Sequence, residues 1–175
     1  KVAMLFLDER EEIQDSLSFR ELDRRARSIA AHLQERQLAG RAVVLPYPPG
    51  LEFAAAFFGC LYAGAVAVPV NLPRPRRTDE RLRGILADSG AGHVLTARRN
   101  LAAIEKQMAS LERDVAVIAS DALADRSEAW TPVTWDAGQL ALLQYTSGST
   151  RFPRGVMVSH QNLSANLEVV RNTLG

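Results

Sequence analysis

The sequence predicts an α/β fold in which a largely parallel sheet is flanked by helices. Apolar strand-like runs and amphipathic helical runs alternate along most of the chain, the pattern of consecutive β-α-β units. Several strand runs, "AVVLPY", "AVAVPV" and "VAVIA", are apolar almost throughout rather than at every second position, as strands covered on both faces are. With 175 residues, 47% of them hydrophobic, one domain can bury a core of its own.

Taken in order, "VAMLFL" reads as an opening strand and the polar run around Asp8 to Asp15 as a turn. "SFRELDRRARSIAAHLQERQ" follows from Ser18, with Ser18 and Glu21 spaced as a capping box. Phe19, Leu22, Ala26, Ile29, Ala30 and Leu33 fall on one face of that helix, which leaves its arginines to solvent. "AVVLPY", an apolar helix from about Leu51 and "AVAVPV" then form a β-α-β unit, for which a right-handed crossover is expected. "NLPRPRRTDE" is a proline-bearing basic connector; its "RPRR", Arg74 to Arg77, reads as a solvated segment or as a contact for an acidic partner. Beyond it lie a helix on Leu82, Ile85 and Leu86, the strand "HVLTA", a helix on Leu101, Ile104, Met108 and Leu111, and the strand "VAVIA". Asp121 to Gly138 is polar but carries Trp130 and Trp135, which can anchor an ordered surface excursion. "QLALLQY" and "GVMVSH" read as strands and "NLSANLEVVRNTL" as the last helix.

Lysine plus arginine number 21 against 20 aspartate plus glutamate, so the balance gives no support for a nucleic-acid or acidic-membrane partner and any anion site must be local. Cys60, the single cysteine, cannot form an intramolecular disulfide, and a cytoplasmic setting is expected. His32, His93 and His160 lie far apart without metal-ligand spacing, so no metal site is assigned. Phe53 to Leu72 is uncharged over a length that could cross a bilayer, yet Gly64 and Pro69 divide it into helix, turn and strand, and no transmembrane segment is expected. The chain opens at Lys1 without an initiator methionine and stops as a helical pattern finishes, so it reads as a segment of a longer protein.

One stretch points to chemistry. "TSGSTRFPRG", Thr146 to Gly155, lies between two strand runs, and a nine-residue connection from Thr146 to Arg154 exceeds the usual hairpin turn. Gly148 and Gly155 allow backbone to approach a ligand; Thr146, Ser147, Ser149 and Thr150 offer hydroxyls; Arg151 and Arg154 offer positive charge. These are the parts of a phosphate cradle, although a solvated turn has the same composition. The loop is neither a Walker loop nor a dinucleotide turn, and a nucleophile elbow is absent. Ser159 and His160 are neighbours, but sequence adjacency is not the geometry of a catalytic pair.

"LALLQYTSGSTRFPRGVMVSH", Leu140 to His160, resembles the phosphate-loop signature of the adenylate-forming superfamily, which contains acyl-CoA synthetases, peptide-synthetase adenylation domains, luciferases and fatty acyl-AMP ligases. "LSFREL" (Leu17 to Leu22) and "LYAGAVAVPV" (Leu61 to Val70) are similar to two earlier motifs of that superfamily. Arg151 stands where its commonest form has glycine, and Arg154 where it has lysine; the first departure, with Arg74 to Thr96, is similar to the fatty acyl-AMP ligase branch.

The resemblance implies that residues 1–175 are the N-terminal portion of an adenylation domain. The parent would use ATP and Mg2+ to convert a fatty acid to acyl-AMP and then load an acyl carrier protein or a polyketide or peptide synthase module. Acyl-CoA synthesis and amino-acid activation are the alternatives within the superfamily. The resemblance assigns Thr146, Ser147, Gly148, Ser149, Thr150, Arg151, Arg154 and Gly155 to the ATP phosphates, with Tyr145 and His160 as candidates to shape the pocket. Catalytic residues and Mg2+ ligands are expected beyond Gly175. A reading of another class stays open: a catalytically silent folding or interaction module, whose edge strands could drive self-association.

Overall fold

Runs rich in valine, alanine and leucine form the strands, and helices cover them on both sides. The computed structural model describes residues 1–7, 10–72, 80–111, 114–146 and 154–174. A six-stranded sheet has the order β6-β5-β3-β4-β7-β8, built from β3 (Ala42–Pro46), β4 (Val66–Val70), β5 (His93–Thr96), β6 (Ala116–Ala119), β7 (Leu140–Tyr145) and β8 (Gly155–Ser159). All pairs are parallel except β7 with β8, which form an antiparallel hairpin. The fold is therefore α/β with a mostly parallel sheet, as its apolar strands predict.

Side chains alternate between the two faces, so one strand feeds two cores. Val43 and Leu45 join Ala67 and Leu95 beneath α1 (Phe19–Glu35) and α2 (Leu51–Ala63). Val44, Val68 and Val94 face the opposite way, beneath α3 (Glu80–Ser89) and α4 (Leu101–Ser110). The α1 stripe of Ala26, Ile29, Ala30 and Leu33 is buried, but Phe19, expected on that stripe, is 58% exposed at the helix start.

Ser18 caps α1 by accepting from the Glu21 amide at 3.1 Å. Half of the expected box is thus present; the Glu21 carboxylate instead takes hydrogen bonds from Arg24 and Arg25. Helix α2 ends at Gly64, whose φ of 70° favours a residue without a β-carbon, and the Gly64 amide closes the last turn on Leu61. That turn splits the uncharged Phe53 to Leu72 stretch as expected. No described helix is long and apolar enough to cross a membrane.

The opening of the chain departs from the sequence reading. "VAMLFL" forms β1 (Val2–Leu7), but β1 lies outside the main sheet and pairs antiparallel with β2 (Ile13–Ser18), whose first residues fall in the polar run expected as a turn. Polar "IQDSLS" carries no buried-strand pattern because only Leu17 of it is buried. The excursion across 120–139 is ordered by its tryptophans: Trp130 Nε1 donates to the Tyr62 carbonyl at 3.1 Å, and Trp135 Nε1 to the Leu61 carbonyl at 3.2 Å. Arg27 lies 4.9 Å over the Trp130 ring, so one arginine of the solvated α1 face also packs. The last helix, α5 (His160–Leu174), begins with a capping box that sequence reading did not single out. Ser159 Oγ accepts from the Asn162 amide, and Asn162 Oδ1 accepts from the Ser159 amide.

Candidate functional site

Three parallel strands end at one level. β3 and β4 register Pro46 with Val70, and the Ala67–Leu142 pair brings Tyr145 of β7 level with Val70. The chain leaving these ends encloses a cleft of about 1050 Å³. Its walls include Tyr47 to Gly50 after β3, Asn71 and Leu72 after β4, Thr146 after β7, and Arg81 and Ile85 of α3. Ligands of open α/β sheets bind outside the carboxyl ends of the strands, where backbone groups lack ladder partners.

The wall behind the cleft is stiffened by buried hydrogen bonds. The Tyr47 hydroxyl and Ser120 Oγ share one at 2.6 Å, and Thr96 Oγ1 donates to the Pro46 carbonyl at 3.0 Å. Burial pushes the Tyr47 hydroxyl above the usual tyrosine range, so it stays protonated. A smaller hollow of about 290 Å³ on the α1 side is lined by paired charges, among them Glu21 with Arg24 and Arg25, and by Glu52, whose partner Arg99 lies outside the lining.

The hairpin that bounds the cleft carries the sequence-predicted loop. Thr146 lines the cleft directly after β7. Arg154 is exposed just before β8, and Gly155 opens β8 opposite Tyr145. Ser147, Gly148, Ser149, Thr150 and Arg151 lie outside the described residues, as do Arg74 to Arg77. Tyr145 lines the cleft and is 6% exposed, its hydroxyl donating to Asp88 Oδ2 at 2.6 Å. Burial, reinforced by the Asp88 carboxylate, raises that hydroxyl above its usual range.

His160 is not brought to the cleft. β8 runs away from Gly155, which puts His160 about 17 Å along the strand at roughly 3.4 Å per residue. There its ring stacks on Trp135 at 4.7 Å, and burial lowers its basicity. The neighbouring Ser159 hydroxyl is engaged with Asn162, so the two do not form a nucleophile pair. Among the described residues, no group of three or more His, Cys, Asp or Glu gathers as a metal site.

The family model described as "AMP-binding enzyme" matches residues 1–174. The chain belongs to the AMP-binding enzyme family. Among similar proteins, this family member is 39% identical over 180 residues to the medium-chain-fatty-acid–[acyl-carrier-protein] ligase JamA of Moorena producens, covering 99% of the chain and 30% of JamA. It is 35% identical over 158 residues to the putative fatty-acid–CoA ligase FadD21 of Mycobacterium tuberculosis, covering 89% and 27%. A crystal structure of a fatty acyl-adenylate ligase from L. pneumophila, in complex with acyl adenylate and pyrophosphate, superposes with a TM-score of 0.84 at 36% identity, covering 96% of the chain and 29% of that protein. The chain thus spans less than a third of the length of each.

Sequence reasoning missed the supports of the loop. Asp88 and Arg81, 57 and 64 residues from Tyr145, both bond to it. No local pattern marks them, because their partner is distant in sequence.

Proposed function

We propose that the protein to which this chain belongs activates a fatty acid with ATP, forming acyl-adenylate and pyrophosphate, and delivers the acyl group to a carrier-protein thiol. The observation that carries this reading is the position of Thr146, at the rim of a cleft formed where three parallel strands end, in a chain matched by the AMP-binding family over 1–174. The names of the relatives support fatty-acid activation, and JamA's name supports the carrier-protein acceptor.

In this reaction a carboxylate oxygen attacks the α-phosphorus of ATP, the bond from that phosphorus to the bridging oxygen breaks, and pyrophosphate leaves with the electron pair. The difficulty is electrostatic, since an anion approaches a polyanion while charge builds on the leaving group. In our reading Thr146, Ser147, Ser149 and Thr150 donate to phosphate oxygens, Gly148 and Gly155 let the loop close in, and Arg151 and Arg154 offset charge. Tyr145 holds the loop's root beside the cleft. Mg2+ would shield the phosphates, and among the described residues no cluster of His, Cys, Asp or Glu gathers to hold it. We place residues 1–175 as one portion of a larger adenylation domain, acting in the cytoplasm.

Pyrophosphate exchange by the full-length protein carrying Thr150→Ala or Arg154→Ala tests the loop assignment. Each variant is expected to lose about 100-fold or more, the scale of one transition-state donor; near wild-type exchange in both overturns it. FadD21's name favours a second reading, with coenzyme A as acceptor. Supplying coenzyme A and holo-carrier protein separately, and identifying the acylated product, decides between them. The chain alone is proposed to be catalytically silent and to self-associate through exposed Val156, Met157, Leu167 and Val169. Acyl-adenylate formation by the isolated chain, or a monomer in sedimentation, would count against those two statements respectively.

A further inference from the structure

Arg81 and Asp88 stand seven residues apart on α3, two helical turns, so they share one face with about 10 Å between them. Both reach Tyr145. Arg81 Nη2 donates to the Tyr145 carbonyl at 3.2 Å, and the Tyr145 hydroxyl donates to Asp88 Oδ2 at 2.6 Å. The residue is tied at its backbone and at its tip, with the buried ring between, in the core beneath α3. Across the hairpin Tyr145 pairs with Gly155, and its side chain fills the space a β-carbon on Gly155 would enter, with Cζ 3.0 Å from that position. Both ends of the connection from Thr146 to Arg154 therefore converge on one side chain.

Asp88 is exposed, so its carboxylate is not needed to fill the core. If it were removed, water could satisfy the Tyr145 hydroxyl, at little cost to folding. Water would not fix the ring's direction as a charged acceptor does, because a carboxylate gives a shorter and stronger bond. A ring free to swing would no longer hold its place against Gly155, where Tyr145 fills the space a β-carbon would enter.

We propose that Asp88 is a positioning residue for the phosphate-binding loop, acting through the Tyr145 hydroxyl to hold both ends of the β7–β8 connection in place beside the cleft. The inference rests on the reading of that loop as the ATP-phosphate site. In the full-length protein, Asp88→Ala is expected to raise the KM for ATP in pyrophosphate exchange about tenfold without a matching fall in Tm, the scale of a small misplacement of binding groups. Asp88→Asn, whose amide oxygen still accepts a hydrogen bond, should recover most of the loss. Asp88→Ala combined with Tyr145→Phe should be no worse than Tyr145→Phe alone. Unchanged kinetics in Asp88→Ala, or additive effects in the double variant, overturns the proposal. If the wild-type protein shows no exchange with any fatty acid, the functional reading fails by itself. Amide hydrogen exchange at Thr146 and Gly155 then decides the positioning role: severalfold faster exchange in Asp88→Ala supports it, and unchanged exchange refutes it.

Discussion

A β-carbon on Gly155 would lie 3.0 Å from Cζ of Tyr145, so the hairpin is built around the absence of a side chain at that position. The φ of Gly155 is not positive, which makes the requirement one of room rather than of backbone conformation. Tyr145 cannot yield easily, because its ring is buried and its hydroxyl is bound to Asp88. Gly155→Ala is expected to cost about 1–3 kcal/mol, the usual range for overpacking. Urea unfolding measures it, and the Gly155→Ala, Tyr145→Leu double variant should lose less than the sum of the two single changes.

The same argument applies more severely between α1 and α2. A β-carbon on Gly59 would come within 2.6 Å of Ile29 Cγ2 and 2.8 Å of its Cβ, closer than packed atoms allow. Alanine would gain up to about 1 kcal/mol of helix propensity at this interior position. Overpacking at about 1–3 kcal/mol outweighs that gain, so Gly59→Ala should lower Tm, as calorimetry would show.

Acid should weaken the start of α1. Hydrogen bonds from Arg24 and then Arg25 hold the Glu21 carboxyl down to about 2 from an ordinary 4.5. A group depressed in the folded state contributes stability above its unfolded value and loses it as pH falls through the folded one. The contribution is therefore full above about pH 4.5 and fades towards pH 2, and solvent screening keeps it to about 1 kcal/mol or less. Urea midpoints measured across that window should fall less steeply in Glu21→Gln than in the wild type.

Cys60 should be inert to thiol reagents while the chain is folded. It is fully buried, and burial alone pushes its thiol up to about 12, leaving almost no thiolate at neutral pH. Its labelling rate should rise with denaturant in step with global unfolding. Rapid labelling in native buffer would contradict its place in the core.

Local signals carried the fold a long way. The apolar strands, the Ser18 cap and the αL turn at Gly64 were legible because each depends on residues within a few positions of one another; the tryptophans could be read as anchors from their residue type, but not the distant carbonyls they bind. β2 was not legible: its faces are largely exposed, so "IQDSLS" shows no apolar alternation, and it becomes a strand through pairing with β1. Phe19 fits the helical stripe by spacing, yet at the first position of α1 its ring is left in solvent.

By itself the sequence determined the fold class, and its motifs supplied the family resemblance and the residues proposed for the phosphate loop. Tertiary structure decided which residues surround that loop's ends. It sent His160 to the far end of the β7–β8 hairpin, away from the cleft, because β8 runs antiparallel to β7, and stacked it on Trp135. It brought Arg81 and Asp88 to Tyr145, because α3 crosses back over the sheet beside β7. Such contacts close long stretches of chain, and their energy comes from burial and charge between segments that no local periodicity connects.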